Sequence, residues 1–377
     1  MIKFSQSIQQ ASAFFRRIAG KNKKGRTIPI LCFLLLFTFV RPSFAETIAE
    51  APIMVDGQPV KTAYFLQNGH LMVPALFFKN TGASVDWNVQ YQSVVVEKNN
   101  TIVALYSGKN YADYYTKESG NWVRDNLPTT TTPLSDGTYI PLLYTAQKLG
   151  MKVTYNSELS RTFIDTNTPP AEKPIVYYVG DTTEKKIALT FDDGPDSIYT
   201  PQILDILLEK GVHATFFVLG QQVKLFPELT KRIVNEGHLI ANHTWSHPEL
   251  PKLTTSQVVQ EVESTRSEIA KVTGINSFFF RPPYGSYTAG DIRVLSEHGY
   301  RSILWSVDTL DWSGLSAEEI LAIVNRDKSP GGIILQHDFQ ASNGKLDGTV
   351  QALPKMIDQL RGEGYQFVTV QNLLDGN

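Results

Sequence analysis

Apolar and polar residues alternate in two different rhythms along the chain. From Ile53 to Thr166 the apolar runs are short and separated by turn residues, as in Ser93-Val94-Val95-Val96-Glu97 and Thr101-Ile102-Val103-Ala104-Leu105-Tyr106, which reads as a succession of strands. After Pro174 near-continuous apolar runs at 187–190, 215–218, 239–242, 278–281, 302–305, 332–335 and 367–370 read as strands. The segments 200–210, 226–236, 254–273, 289–298, 317–327 and 350–362 between them carry helical periodicity. Strands that alternate with helices imply a parallel sheet, and about seven of them suggest an α/β fold of the distorted (β/α) barrel type, closed or nearly closed.

The first half contains an internal echo. Met72-Val73-Pro74-Ala75-Leu76 leads to Gly82-Ala83-Ser84-Val85-Asp86-Trp87-Asn88, and Tyr139-Ile140-Pro141-Leu142-Leu143 leads to Gly150-Met151-Lys152-Val153-Thr154-Tyr155-Asn156. Each copy reads as a strand end, a helix started by proline, a glycine stop and a new strand. Two copies are too few for a solenoid, so residues 46–166 are expected to form one small α+β module with a duplicated unit. Residues 167–174, with three prolines, read as a linker to a second domain at 175–377 that is large enough to fold alone.

Residues 1–45 stand apart. They hold eight basic residues (Lys3, Arg16, Arg17, Lys21, Lys23, Lys24, Arg26 and Arg41) and no acidic ones, around an apolar stretch at 28–40. A helix of that length rises only about 20 Å, short of the ~30 Å core of a bilayer. The stretch is expected to be a secretory signal with Ser43-Phe44-Ala45 ahead of Glu46, or a retained N-terminal anchor that would be the only membrane contact. Eight of the 35 basic side chains and none of the 37 acidic ones fall there, so the remainder carries −10 at pH 7, the wrong sign for a nucleic-acid partner. The one cysteine, Cys32, also falls there, so the mature chain has neither disulfides nor a thiolate metal site. A secreted or surface-held bacterial protein is the expectation.

Candidate chemistry gathers where the predicted strands end. The run Ile187–Thr190 stops on Phe191-Asp192-Asp193-Gly194-Pro195, and a turn beginning there lets both carboxylates face one site, one to bind a cation and its neighbour to handle protons. In Asn242-His243-Thr244-Trp245-Ser246-His247-Pro248 a helical turn would stack His243 on His247, and with Asp193 they make a facial metal set with open positions, the arrangement of a hydrolytic site. Zinc suits these donors, and cobalt or nickel would fit as well. Arg281-Pro282-Pro283-Tyr284-Gly285 places an arginine able to orient a carboxylate before a rigid loop able to aim an N–H. Asp308-Thr309-Leu310-Asp311-Trp312 and Leu335-Gln336-His337-Asp338 complete the series, whereas His213, His238 and His298 fall away from that rim.

These five motifs, in order and one per strand end, make residues 185–374 resemble the NodB homology domain of carbohydrate esterase family 4, the metal-dependent polysaccharide deacetylases. The resemblance implies Asp192 as general base, with Asp193, His243 and His247 as metal ligands. It implies His337 as general acid oriented by a carboxylate of the fourth motif, Asp311 before Asp308, and Arg281 as the holder of Asp192. The Tyr284 backbone N–H would stabilise the oxyanion, and Tyr284, Trp312 and Leu335 would contact substrate. The implied reaction is removal of N-acetyl groups from amino sugars of a cell-wall polysaccharide, peptidoglycan first. Deacetylation of chitin oligosaccharides or cleavage of acetyl-xylan esters would use the same site. A wall-binding or signalling protein with an idle domain is the alternative outside enzymes, and no motif residue is replaced as that would require. The first half resembles the repeat module named after the N-terminal domain of copper amine oxidases. Its single histidine, His70, gives no reason to expect copper or oxidase chemistry there.

Overall fold

The structure, a computed structural model, describes residues 53–169, 175–339 and 345–376. The expected export segment, Cys32 and residues 170–174 of the expected linker lie outside the described residues.

In the first half the sequence echo becomes a structural one. His70–Pro74, a 3-10 helix at Ala75–Thr81 and Ser84–Asn88 form one copy. Gly137–Pro141, the helix Leu142–Lys148 and Lys152–Asn156 form the other. Each proline ends its strand, and Gly82 and Gly150, with φ of 81° and 76°, take the left-handed turn that stops each helix. The first strands of the two copies pair antiparallel with Val73 opposite Ile140, so the copies face each other across a shared ladder. A five-stranded antiparallel sheet from Ser84–Asn88 to Trp122–Asn126 adds to a core that includes Phe78, Val96, Val103, Leu105 and Ile140.

The second half is built on a parallel sheet of nine short strands: β1 (Val176–Tyr177), β2 (Lys186–Asp192), β3 (Thr215–Val218), β4 (Leu239–Asn242), β5 (Phe279–Phe280), β6 (Arg301–Ile303), β7 (Val307–Asp308), β8 (Gly332–His337) and β9 (Gln366–Phe367). Their order is β1-β6-β5-β4-β3-β2-β8-β7, with β9 against the start of β2. The strand expected at 302–305 is shorter than its apolar run. It ends at Ile303, and Leu304-Trp305-Ser306 carries the chain from near one edge of the sheet to β7 at the other. Three intervening residues span no more than about 14 Å. The sheet is therefore curled into a half-barrel whose seam is crossed by covalent chain.

Side-chain alternation sorts the layers. Leu189, Phe191, Phe216 and Ile334 pack under the helices, while Ala188, Phe217, Ala241, Ile303 and Ile333 fill the interior. Every strand of this sheet runs in one direction, so the C-terminal ends collect at one rim, and the side chains at those ends build the site.

Candidate active site

Asp192 is the last residue of β2 and lies in register with His337, the last residue of β8. Beyond it Asp193 takes φ 77°, a left-handed turn that swings its side chain back toward the same rim. As a result Asp192 Oδ2 and Asp193 Oδ1 lie 3.7 and 3.5 Å from one atom, His243 Nε2. The next residue must be glycine, because a Cβ on Gly194 would come within 2.1 Å of the Asp338 carboxylate that accepts its N–H.

The two motif histidines reach the site by a route different from the helical turn that their spacing suggests. The backbone from His243 to Pro248 is a bend, left-handed at Thr244 and His247 (φ 72° and 62°). Pro248 contributes, since it disfavours the right-handed helical region for His247. Side chains hold the bend: Asn242 Oδ1 accepts the Thr244 N–H at 2.9 Å, and Glu261 accepts those of Trp245 and Ser246 at 3.0 and 2.9 Å. The imidazoles still converge, with ring centroids 5.0 Å apart.

His243 Nδ1 is 2.8 Å from the Arg281 carbonyl, an oxygen that only accepts, so Nδ1 carries the proton and Nε2 presents a lone pair. That lone pair and His247 Nε2 face Asp193 Oδ1 at 3.5 and 3.3 Å, and Asp193 Oδ1 is buried with no hydrogen-bond donor among the described residues. Burial raises Asp193 to about 7, pushes His243 well below the usual histidine range and lowers His247 to about 4. Two neutral imidazole nitrogens and a carboxylate oxygen drawn this close together could hold a divalent cation.

Next to this triad stands a buried ion pair. The Arg281 side chain is fully buried, and its Nη1 bonds Asp192 Oδ1 at 2.6 Å and Thr190 Oγ1 at 2.9 Å. Nη2 bonds the Leu304 carbonyl, and the guanidinium lies 4.0 Å over the Phe217 ring. Burial raises the Asp192 pKa, and Arg281 opposes that rise without cancelling it. One carboxylate oxygen is thereby occupied, and the other is turned to the site.

On the opposite side His337 Nδ1 lies 2.7 Å from Asp311 Oδ1, while the His337 backbone N–H donates to Asp311 Oδ2 at 2.9 Å. Thr349 adds a hydroxyl donor to the same carboxylate, which is buried. Of the two aspartates in the fourth motif it is Asp311 that meets the histidine, and Asp308 accepts the Leu310 N–H inside its own turn. Burial would lower the His337 pKa, but Asp311 first, then Asp193 and Asp192, outweigh it and hold the ring up to about 10.

Tyr284 sits at φ 59° in the turn Pro283–Gly285, its side chain exposed and its ring edge-on to His247 at 4.5 Å. Leu335 is buried on β8 opposite Thr190 and Asp308, and Trp312 stands half-exposed beside Asp311. The histidines read as lying off the rim have partners elsewhere: His238 Nδ1 accepts the Ala214 N–H and its ring meets that of His213 edge-on, and His298 Nδ1 meets the Val294 carbonyl. The sequence reading missed Thr190, Asn242 and Glu261. Thr190 and Asn242 abut motif residues and could have been suspected, whereas nothing local to Glu261 points toward the bend that it holds.

A family model described as polysaccharide deacetylase matches residues 179–303, and one described as the copper amine oxidase N-terminal domain matches residues 54–164. The peptidoglycan-N-acetylglucosamine deacetylase of Bacillus cereus is 42% identical over 202 residues, 54% of this chain and 73% of that protein. The peptidoglycan-N-acetylmuramic acid deacetylase PdaA of Bacillus subtilis is 35% identical over 207 residues, 54% of this chain and 76% of that protein. A crystal structure of a peptidoglycan N-acetylglucosamine deacetylase in complex with an N-oxidanyl-benzamide matches with a TM-score of 0.53 and 40% identity, over 55% of this chain and 97% of that one. Five strand-end motifs, a curled parallel sheet that brings them to one rim and relatives matched over most of their own length agree: the chain belongs to the polysaccharide deacetylase family.

Proposed function

We propose that the protein is a zinc-dependent deacetylase that removes N-acetyl groups from the amino sugars of peptidoglycan at the outside of a bacterial cell. The observation that carries this reading is a division of labour at one rim. A buried carboxylate with one oxygen left over, Asp192, and a cationic imidazole, His337, end neighbouring strands beside the triad of Asp193, His243 and His247. Zinc held by that triad would polarise the acetyl carbonyl and acidify water, and cobalt or nickel would accept the same donors.

Each residue then has a task that its surroundings support. Asp192 Oδ1 is tied to Arg281, so Oδ2 takes the proton from the attacking water, and burial raises its proton affinity for that task. The oxygen that gains charge as the acetyl carbon becomes tetrahedral is assigned to the Tyr284 backbone N–H, on a turn stiffened by Pro282 and Pro283. His337 gives a proton to the departing amine through Nε2, because Nδ1 is engaged by Asp311. An amine leaves poorly unless protonated, and a ring held cationic is suited to supply that proton. Leu335 and Trp312 are assigned to the acetyl methyl, and Tyr284 and Trp312 to the sugar.

Two observations favour peptidoglycan: the matched relatives are named for its two acetylated sugars, and the leading residues resemble an export signal. Mass spectrometry of peptidoglycan fragments, chitin oligomers and acetylated xylan after incubation with zinc-loaded protein tests the reading. Loss of acetyl groups from the peptidoglycan fragments is expected. Release from xylan alone would make the protein an esterase, and no release from any polymer would favour an idle domain.

A further inference from the structure

The module and the half-barrel belong to one compact unit and meet around a buried ammonium, that of Lys79. Lys79, in the 3-10 helix of the module, is fully buried, with Nζ 2.7 Å from Asp291 Oδ1, 2.8 Å from the Leu250 carbonyl and 2.6 Å from the Leu253 carbonyl. All three partners belong to the barrel: the ammonium donates to the two carbonyls and forms an ion pair with the carboxylate. Asp291 is equally dry. Its second oxygen accepts the Thr288 N–H and hydroxyl, both at 2.8 Å, which caps the helix Ala289–Glu297.

The backbone shows that this contact is built in. A Cβ on Gly290 would lie 2.4 Å from the Ala83 carbonyl and 3.0 Å from that of Lys79, so a side chain there would push the module away. Around the ammonium, Arg293 donates to the Gly82 carbonyl and to Ser84 Oγ, the Val85 N–H donates to Thr255 Oγ1, and the Ser256 N–H donates to Asp86 Oδ1.

In the chain, the residues that Lys79 grips follow closely on those of the metal corner. Leu250 and Leu253 lie between His247 and the helix Thr255–Thr273, and that helix carries Glu261, which holds Trp245 and Ser246 in the bend. Asp291 opens the helix that follows the loop of Arg281 and Tyr284. One side chain of the module thus ties both segments that lead away from His247 and Tyr284.

We propose that Lys79 is a positioning residue for the metal site, holding the segment from His247 to Leu253 where His247 Nε2 meets Asp193, so that the module is part of the catalytic unit. Without its ammonium the two carbonyls would be left buried and unpaired, and the segment would move to rehydrate them, taking His247 with it. The inference rests on the assignment of Asp193, His243 and His247 as metal ligands.

The test compares zinc affinity, by competition with a chelating dye, in full-length Lys79→Met/Asp291→Asn, Arg293→Gln and His247→Ala. The double variant removes both buried charges together and keeps a capping acceptor at position 291, yet leaves the Leu250 and Leu253 carbonyls without their donor. If thermal melts show it folded, it should bind zinc about tenfold more weakly than wild type, the usual result of losing support behind a metal ligand. Excess zinc should restore most of its turnover, which repair of a merely structural defect would not do. A folded double variant with wild-type zinc affinity overturns the proposal. Arg293→Gln loosens the same interface at its partly exposed edge, without a buried charge being lost, and should weaken zinc binding in the same direction by less. Unchanged affinity in Arg293→Gln counts against the proposal even if the double variant fails to fold. His247→Ala separates the two ideas, since wild-type zinc affinity there would sink the metal-ligand assignment and leave the role of Lys79 without a target.

Discussion

Two buried ion pairs, one at the rim and one at the interface, are almost alike in contact and differ in what they leave over. Arg281 and Asp192 meet at 2.6 Å, and Lys79 and Asp291 at 2.7 Å, with side chains essentially out of water in both cases. At the interface both oxygens of Asp291 face partners, Oδ1 the Lys79 ammonium in an ion pair and Oδ2 the Thr288 N–H and hydroxyl, while Lys79 donates to two carbonyls. At the rim Asp192 Oδ2 has no such commitment and lies 3.7 Å from His243 Nε2. An ion pair with both carboxylate oxygens facing partners makes a joint, whereas one with an oxygen turned to the site leaves an acceptor, which the role proposed for Asp192 requires. The Coulomb attraction does not distinguish the pairs, because desolvation largely offsets it in each.

The largest effect should come from halving the rim pair. Arg281→Met leaves Asp192 buried without a counter-charge and should cost about 3–5 kcal/mol of stability together with turnover, read from urea melts and initial rates. Lys79→Met should cost a similar amount of stability for the same reason. A smaller loss there would show that the interface pair is less dry in solution than the rim pair, and the likeness between them would fail.

Asp192→Asn sharpens the contrast, because the amide still accepts from Arg281 but cannot take a proton from water. Its kcat should fall by a factor of about 10² or more while zinc content stays normal. Near-normal turnover would remove Asp192 as the base. Asp291→Asn at the interface should leave kcat on a soluble oligosaccharide far less affected than Asp192→Asn does.

Smaller effects concern pH. Asp311 is the main group that raises His337 against burial, so Asp311→Asn should lower the His337 pKa from about 10. A general acid works in its protonated form, so the alkaline limb of kcat against pH should move to lower pH in that variant. An unmoved limb would separate His337 from that titration.

The smallest expected effect is on zinc stabilisation. In the metal-free protein burial raises Asp193 from 3.8 to about 7, so the folded state binds the extra proton between those values and its stability falls as pH rises through that window. Zinc must displace that proton at pH 5 but not at pH 8. The rise in melting temperature on adding zinc should therefore be larger at pH 8, and a gain that did not change with pH would mean that Asp193 is not the group displaced.

Much of this architecture could be read from residue order because it depends on periodicity and punctuation, which are local. Apolar runs broken by amphipathic segments forecast the parallel sheet, and the Pro74/Gly82 and Pro141/Gly150 pairs forecast the duplicated unit that the module displays. Strand-end motifs were legible for a related reason: a parallel sheet sends all its C-terminal ends to one rim, so residues distant in the chain could be grouped before any distance was known. The His243–His247 bend departs from the helical turn that the spacing of the two histidines suggests, and Pro248, next in the chain, is a local sign against a helix there.

What the tertiary structure alone decided is which oxygen meets which nitrogen. Asp311 over Asp308, Glu261 behind Trp245 and Ser246, and Lys79 against Leu250, Leu253 and Asp291 are pairings across long stretches of chain, set by how the helices and the module seat on the sheet. Gly290 illustrates the limit: in the chain it is a small residue at the start of a helix, and only the approach of the Ala83 carbonyl explains why it must be small. Local propensity acts through neighbours in sequence and leaves its mark there. Desolvation and close packing act through neighbours in space, and a single sequence does not record which neighbours those are.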